Sequence, residues 1–118
     1  MSRTPQAFAI SATLLLTSCD QTVPLQLPSD TPIVVNIRES QTLYTLEPNS
    51  REHRQLERWI QQNQSGWSRY RVTTPACGIC VSAGDLQLNF LGQSVLIYLK
   101  DGAWRKAVAP SEYAFLRR

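Results

Sequence analysis

The sequence predicts an α+β fold: a small antiparallel sheet of about five to six strands, with a C-terminal meander, covered on one face by a single amphipathic helix. Three observations carry this prediction. Apolar and polar residues alternate through 33–38 and again through 86–90, the period of half-buried strands. Residues 50–63 instead repeat their apolar positions with helical period. Finally, Lys100-Asp101-Gly102-Ala103 sets an Asp-Gly pair between two strand-like runs, the pair preferred in two-residue hairpin turns.

In chain order, residues 20–32 contain Pro24, Pro28 and Pro32 among Gln, Thr, Ser and Asp, with neither period. They read as an extended tether, near ~3 Å per residue, able to hold a domain up to ~35 Å from its attachment point, with an ordered edge strand around Val23 to Leu27 as the alternative. In 33–38, Ile33, Val35 and Ile37 alternate with Val34, Asn36 and Arg38, and 41–46 is rich in β-forming residues around Leu43, Tyr44 and Leu46. The link between them, Glu39, Ser40 and Gln41, has hairpin length but lacks glycine.

Pro48 ends the second strand, and Asn49 with Glu52 three residues on has the spacing of a helix N-cap and its reciprocal partner. On the helix that follows, Leu56, Trp59 and Ile60 share an arc of about 100°, while Arg51, Arg54 and Arg58 share a far-side arc of about 60°. The first group packs on the sheet. The second is a solvated stripe and a candidate binding face for anionic headgroups or an acidic protein.

Residues 67–74 interleave Trp67, Tyr70 and Val72 with Arg69 and Arg71, a strand with an aromatic row beside a polar one. The C-terminal third is the clearest signal. Leu86, Leu88 and Phe90 alternate with Gln87 and Asn89, residues 91–93 turn, and 95–99 is apolar on both faces like an interior strand. Residues 104–108 complete the meander, and Ser111 after Pro110 is placed to cap a final helical turn.

The start of the chain has a different character. Arg3 precedes an uncharged, mostly apolar run over 7–16. As a helix, such a run spans only about 15 Å, half the bilayer hydrocarbon, which is the length of a secretory signal and too short for a transmembrane anchor. Leu16-Thr17-Ser18-Cys19 then resembles the lipobox of bacterial lipoproteins: an aliphatic residue, two small residues and the cysteine that takes the lipid. The resemblance covers about the first 20 residues, and none to a globular family extends over 30–118. It implies cleavage before Cys19, acyl chains of the palmitate kind on that cysteine, and a domain held at a bacterial membrane facing the periplasm. Since each buried methylene contributes about 0.8 kcal/mol, more than one chain gives stable anchoring. Asp20 resembles the inner-membrane retention signal of enteric bacteria and tips the expectation toward that membrane.

The expected organisation is therefore a signal peptide over 1–18, lipid attachment and tether over 19–32, and one small α+β domain over 33–118. A core of that size is marginal and gains from a covalent staple. The chain has 12 Lys and Arg against 9 Asp and Glu. Losing Arg3 with the signal leaves 11 against 9, a balance of +2 with no long basic run, which argues against nucleic acid as a partner.

Cys19, Cys77 and Cys80 are the only cysteines; with Cys19 acylated, Cys77 and Cys80 form an even pair in an oxidising compartment. A thioredoxin-type pair needs its first cysteine at a helix N-terminus, and no helical period follows Cys80. Zinc wants four ligands, and the chain adds only His53. A disulfide closing a tight loop is the favoured reading, with redox use of the pair as the alternative. No Gly-x-Ser-x-Gly, phosphate loop or usable carboxylate pair occurs, so neither catalysis nor a cofactor is expected. The expected function is a noncatalytic envelope lipoprotein that binds a protein partner, as inhibitor, immunity factor or assembly accessory; the alternative is a periplasmic thiol-disulfide protein.

Overall fold

The computed structural model describes residues 21–28 and 31–118; the lipobox, Cys19 and Asp20 lie outside them. Strands β1 (Ile33–Ile37) and β2 (Thr42–Leu46) precede helix α1 (Arg51–Gln62), followed by β3 (Ser68–Tyr70), β4 (Ile79–Ala83), β5 (Leu86–Leu91), β6 (Ser94–Leu99), β7 (Gly102–Ala107) and a 3-10 helix (Pro110–Leu116). The strands form one antiparallel sheet in the order β2-β1-β4-β5-β6-β7-β3. The expected α+β class and the β5-β6-β7 meander are present, with seven strands in place of five to six.

The added strand is β4, which begins within the cysteine stretch. Its apolar side is Ile79, Val81 and Ala83, all buried. The half-period is only three residues deep and starts beside a glycine and two cysteines, so alternation alone did not mark it.

Because β2 and β3 lie at opposite edges, the chain crosses the sheet twice. Helix α1 makes the first crossing over one face, here called the front. The register aligns Tyr44, Val35, Val81, Leu88, Ile97 and Trp104 across successive strands on that face. Against them α1 packs Leu56, Trp59 and Ile60, each buried, while Arg51, Arg54 and Arg58 are exposed. Burying side chains of this size contributes about 1.5 to 3 kcal/mol each. Trp59 meets Trp67 and Phe90 edge-on, at centroid distances of 6.4 and 5.2 Å, and Tyr113 of the 3-10 helix stacks on Phe90 at 4.8 Å. Glu112 ties the two helices together, accepting from Trp59 Nε1 at 3.2 Å and from the Ala109 amide at 2.9 Å.

Three details differ from expectation. The N-cap of α1 is Ser50, whose hydroxyl accepts from the His53 amide at 3.2 Å; Asn49 sits one residue earlier at φ 70°, a left-handed conformation that asparagine tolerates. The β6-β7 turn places Lys100 and Asp101 in its loop, with Gly102 already paired to Leu99. In the β1-β2 hairpin, Gln41 adopts φ 54° where a glycine was missing.

The largest departure concerns 20–32. Val23, Leu25 and Leu27 are buried in the front-face core rather than displayed on a free tether. Gln21 forms an antiparallel bridge with Trp67, the Val23 amide donates to Gln64 O at 2.7 Å, and the Gln64 side chain bonds both the amide and the carbonyl of Leu25. Prolines at 24 and 28 suppress any helix but leave the apolar alternation at 23, 25 and 27 free to pack.

Candidate functional site

The second crossing, residues 71–78, returns over the back face of the sheet from β3 to β4. A strand-edge loop has no apolar stripe to hold it down, and here the fastening is polar and covalent. Asn89, in mid-β5 and only 3% exposed, points to the back; its Oδ1 accepts from the Gly78 amide at 2.9 Å and its Nδ2 donates to Ala76 O at 3.2 Å. Cys77 lies between those two contacts, and its sulfur is 2.07 Å from that of Cys80 on β4, the separation of a disulfide. Cys77 Sγ also rests 3.7 Å from Asn36 O on β1. Gly78 allows this approach, since a Cβ there would lie 2.4 Å from Phe90 O. Beneath the loop, Leu96 is buried on the back of β6.

This environment bears on the chemistry of the cysteine pair. Cys77 precedes a strand, so no helix N-terminus faces its sulfur. Cys77 and Cys80 are each partly exposed. His53 lies on the packed side of α1, across the sheet, so the three residues cannot share a metal. Among the described residues no group of three or more His, Cys, Asp or Glu is placed to hold one.

The arginine side of α1 is not uniform. Arg54 is fixed to the carbonyl of Asn49, whereas Arg51 and Arg58 extend from the surface. Arg58 borders a cleft of about 290 Å³ between α1 and the 3-10 helix, whose other walls include Gln62, Ser111 and Phe115.

Two further surfaces were missed from sequence. On the back of β1 and β2, Val34 is 39% and Leu43 69% exposed, and both point away from the core. At the opposite edge, Arg69, Arg71, Arg105 and Lys106 gather around β3 and β7. Strand register sets them on both faces of this edge: Arg69 pairs with Trp104 on the front, whereas Arg105, paired with Ser68, points to the back and donates to Ser94 Oγ at 2.8 Å. Arg69 lies over the Trp104 ring at 4.7 Å and donates to Asp101 O at 2.8 Å, and Lys106 lies over Trp67 at 5.9 Å and donates to Ser65 O at 2.8 Å. Residues 35 positions apart carry no sequence mark of this proximity.

No helix among the described residues is long and apolar enough to cross a membrane. Compared with protein-family models, with curated proteins and with solved structures, the chain matches none.

Proposed function

We propose that this chain is a bacterial envelope lipoprotein, anchored through lipid on Cys19 with its domain facing the periplasm, and that it acts without catalysis by binding a protein of the envelope. The observation that carries the reading is Leu16-Thr17-Ser18-Cys19 at the end of a short apolar run behind Arg3. The surfaces available to a partner are the free arginines of α1, Arg51 and Arg58, and the apolar pair Val34 and Leu43 on the rigid back of the sheet. Intact-mass analysis of the full chain expressed in bacteria tests the anchor. Wild type is expected to lose 1–18 and gain acyl mass, and Cys19→Ala to gain none; a normally acylated Cys19→Ala protein sinks the reading.

The partly exposed Cys77–Cys80 bridge supports a second reading, thiol-disulfide exchange. Exchange passes through a mixed disulfide, so Cys80→Ser would leave Cys77 to trap protein partners in bands that vanish on reduction. The binding reading expects no such bands.

A further inference from the structure

We propose that the β3 edge of the domain lies directly on the membrane, its basic cluster seated on anionic phospholipid headgroups. This rests on the lipid-anchor reading. The decisive observation is how Gln21 is held. Gln21 is locked to the outer side of β3: its amide donates to Trp67 O at 2.8 Å, its carbonyl accepts from the Trp67 amide at 3.2 Å, and its Oε1 accepts from Trp104 Nε1 at 2.9 Å. Cys19 is two residues earlier, and two residues reach at most about 7 Å. A lipidated Cys19 sits at the headgroup level, so Trp67 and the strand that follows it are drawn to the same level. The spacing that a free tether would supply has been consumed by docking 21–28 into the core.

The surface brought down in this way fits what it would meet. Arg69, Arg71, Arg105 and Lys106 are four cations against the carboxylates of Asp20 and Asp101. None of the four takes part in an ion pair among the described residues; the pairs there are Lys100 with Asp85, Arg117 with Glu39 and Arg118 with Glu52. Val72, next to Arg71, is 67% exposed, an apolar side chain beside a cation as in interfacial segments. Attraction between surface cations and anionic headgroups decays over a Debye length of about 10 Å, so it acts only on a domain held this close. Seven strands at roughly 4.8 Å spacing put β2 about 29 Å from β3, so Leu43 stands clear of the bilayer when the sheet is upright.

The test uses the full chain expressed in bacteria, with a spin label on Val72→Cys or, separately, on Leu43→Cys, both exposed positions, reconstituted in vesicles of phosphatidylglycerol and phosphatidylcholine. Intact mass first reports whether Cys19 carries lipid, which judges the anchor by itself. Collision with a water-soluble nickel chelate then reports depth. The label at 72 is expected to be several-fold less accessible than the label at 43, and Arg71→Glu with Arg105→Glu to abolish that difference. Equal accessibility at both positions in the lipidated protein overturns the docking while leaving the anchor standing. Should the chain carry no lipid, the same labelled protein is mixed with the same vesicles, and a label at 72 that stays as accessible as in water overturns the docking too.

Discussion

The two faces of this sheet are covered by crossings of opposite design. On the front, α1, the docked 21–28 segment and the 3-10 helix bury a contiguous core from Val23 to Leu116. On the back, residues 71–78 bring almost no apolar area and are fastened by Asn89 and the Cys77–Cys80 bridge. Stabilisation on the front is distributed over many side chains, each tolerant of small change. On the back it is concentrated in a few fasteners, namely Asn89, the Arg38 amide that donates to Gly78 O at 3.1 Å, and a bridge that a reductant can remove. The helical crossing satisfies its own backbone, while the loop must borrow partners from the strands beneath it.

The largest effect expected from breaking the front is at Trp59. It is 5% exposed and makes two aromatic contacts besides the bond to Glu112. Trp59→Ala should cost about 3 kcal/mol or more, against little for Arg54→Ala on the solvated side, read as shifts in the denaturant midpoint. A larger shift for the arginine change would reverse the assignment of the two sides of α1.

On the back, changing Cys77 and Cys80 to Ser should cost about 2 kcal/mol, the chain-entropy value for so short a loop. Asn89→Ala should cost a similar amount, about 2 kcal/mol, because the Gly78 amide and the Ala76 carbonyl are left without their partner. Both changes release the same eight residues, so their effects should not add. Combined in one chain and followed by chemical denaturation, they should cost clearly less than the sum of the two. Strict additivity would mean that the bridge and Asn89 hold independent structures and that the loop is not fastened as one unit.

How far these features were legible in sequence follows from the range of the forces involved. The packed and solvated sides of α1 were readable because helical period is a local property, and Leu56, Trp59 and Ile60 are buried as the spacing requires. The meander was readable for the same reason. Asn89 was read as one more residue on a wet strand face, since nothing local distinguishes a solvated asparagine from one bonded to a loop 11 and 13 residues away. The docking of Val23, Leu25 and Leu27 was hidden by the prolines among them, which argue against a helix yet permit an extended segment laid along a core. The basic β3 edge depends on strand order, and strand order was not predicted.

The smallest effect sharpens the contrast between the faces by testing what the loop shields. Tyr98 points to the back of β6, and its hydroxyl is buried without a hydrogen-bond partner. Burial pushes this phenol above its ordinary range, outweighing the nearby Asn89 and Thr74 side chains. The folded state thus favours the neutral phenol. Its contribution is complete below the unfolded value of about 10 and is lost as pH rises through the higher folded-state value. Tyr44 behaves in the same sense on the front, again chiefly through burial. Stability should therefore begin to fall above about pH 10, and Tyr98→Phe should flatten that fall while shifting the midpoint at neutral pH by no more than about 0.5 kcal/mol, there being no bond to lose. An alkaline profile unchanged by Tyr98→Phe, together with a large loss at neutral pH, would show that the hydroxyl is bonded to the crossover after all and that the loop has a further polar fastener.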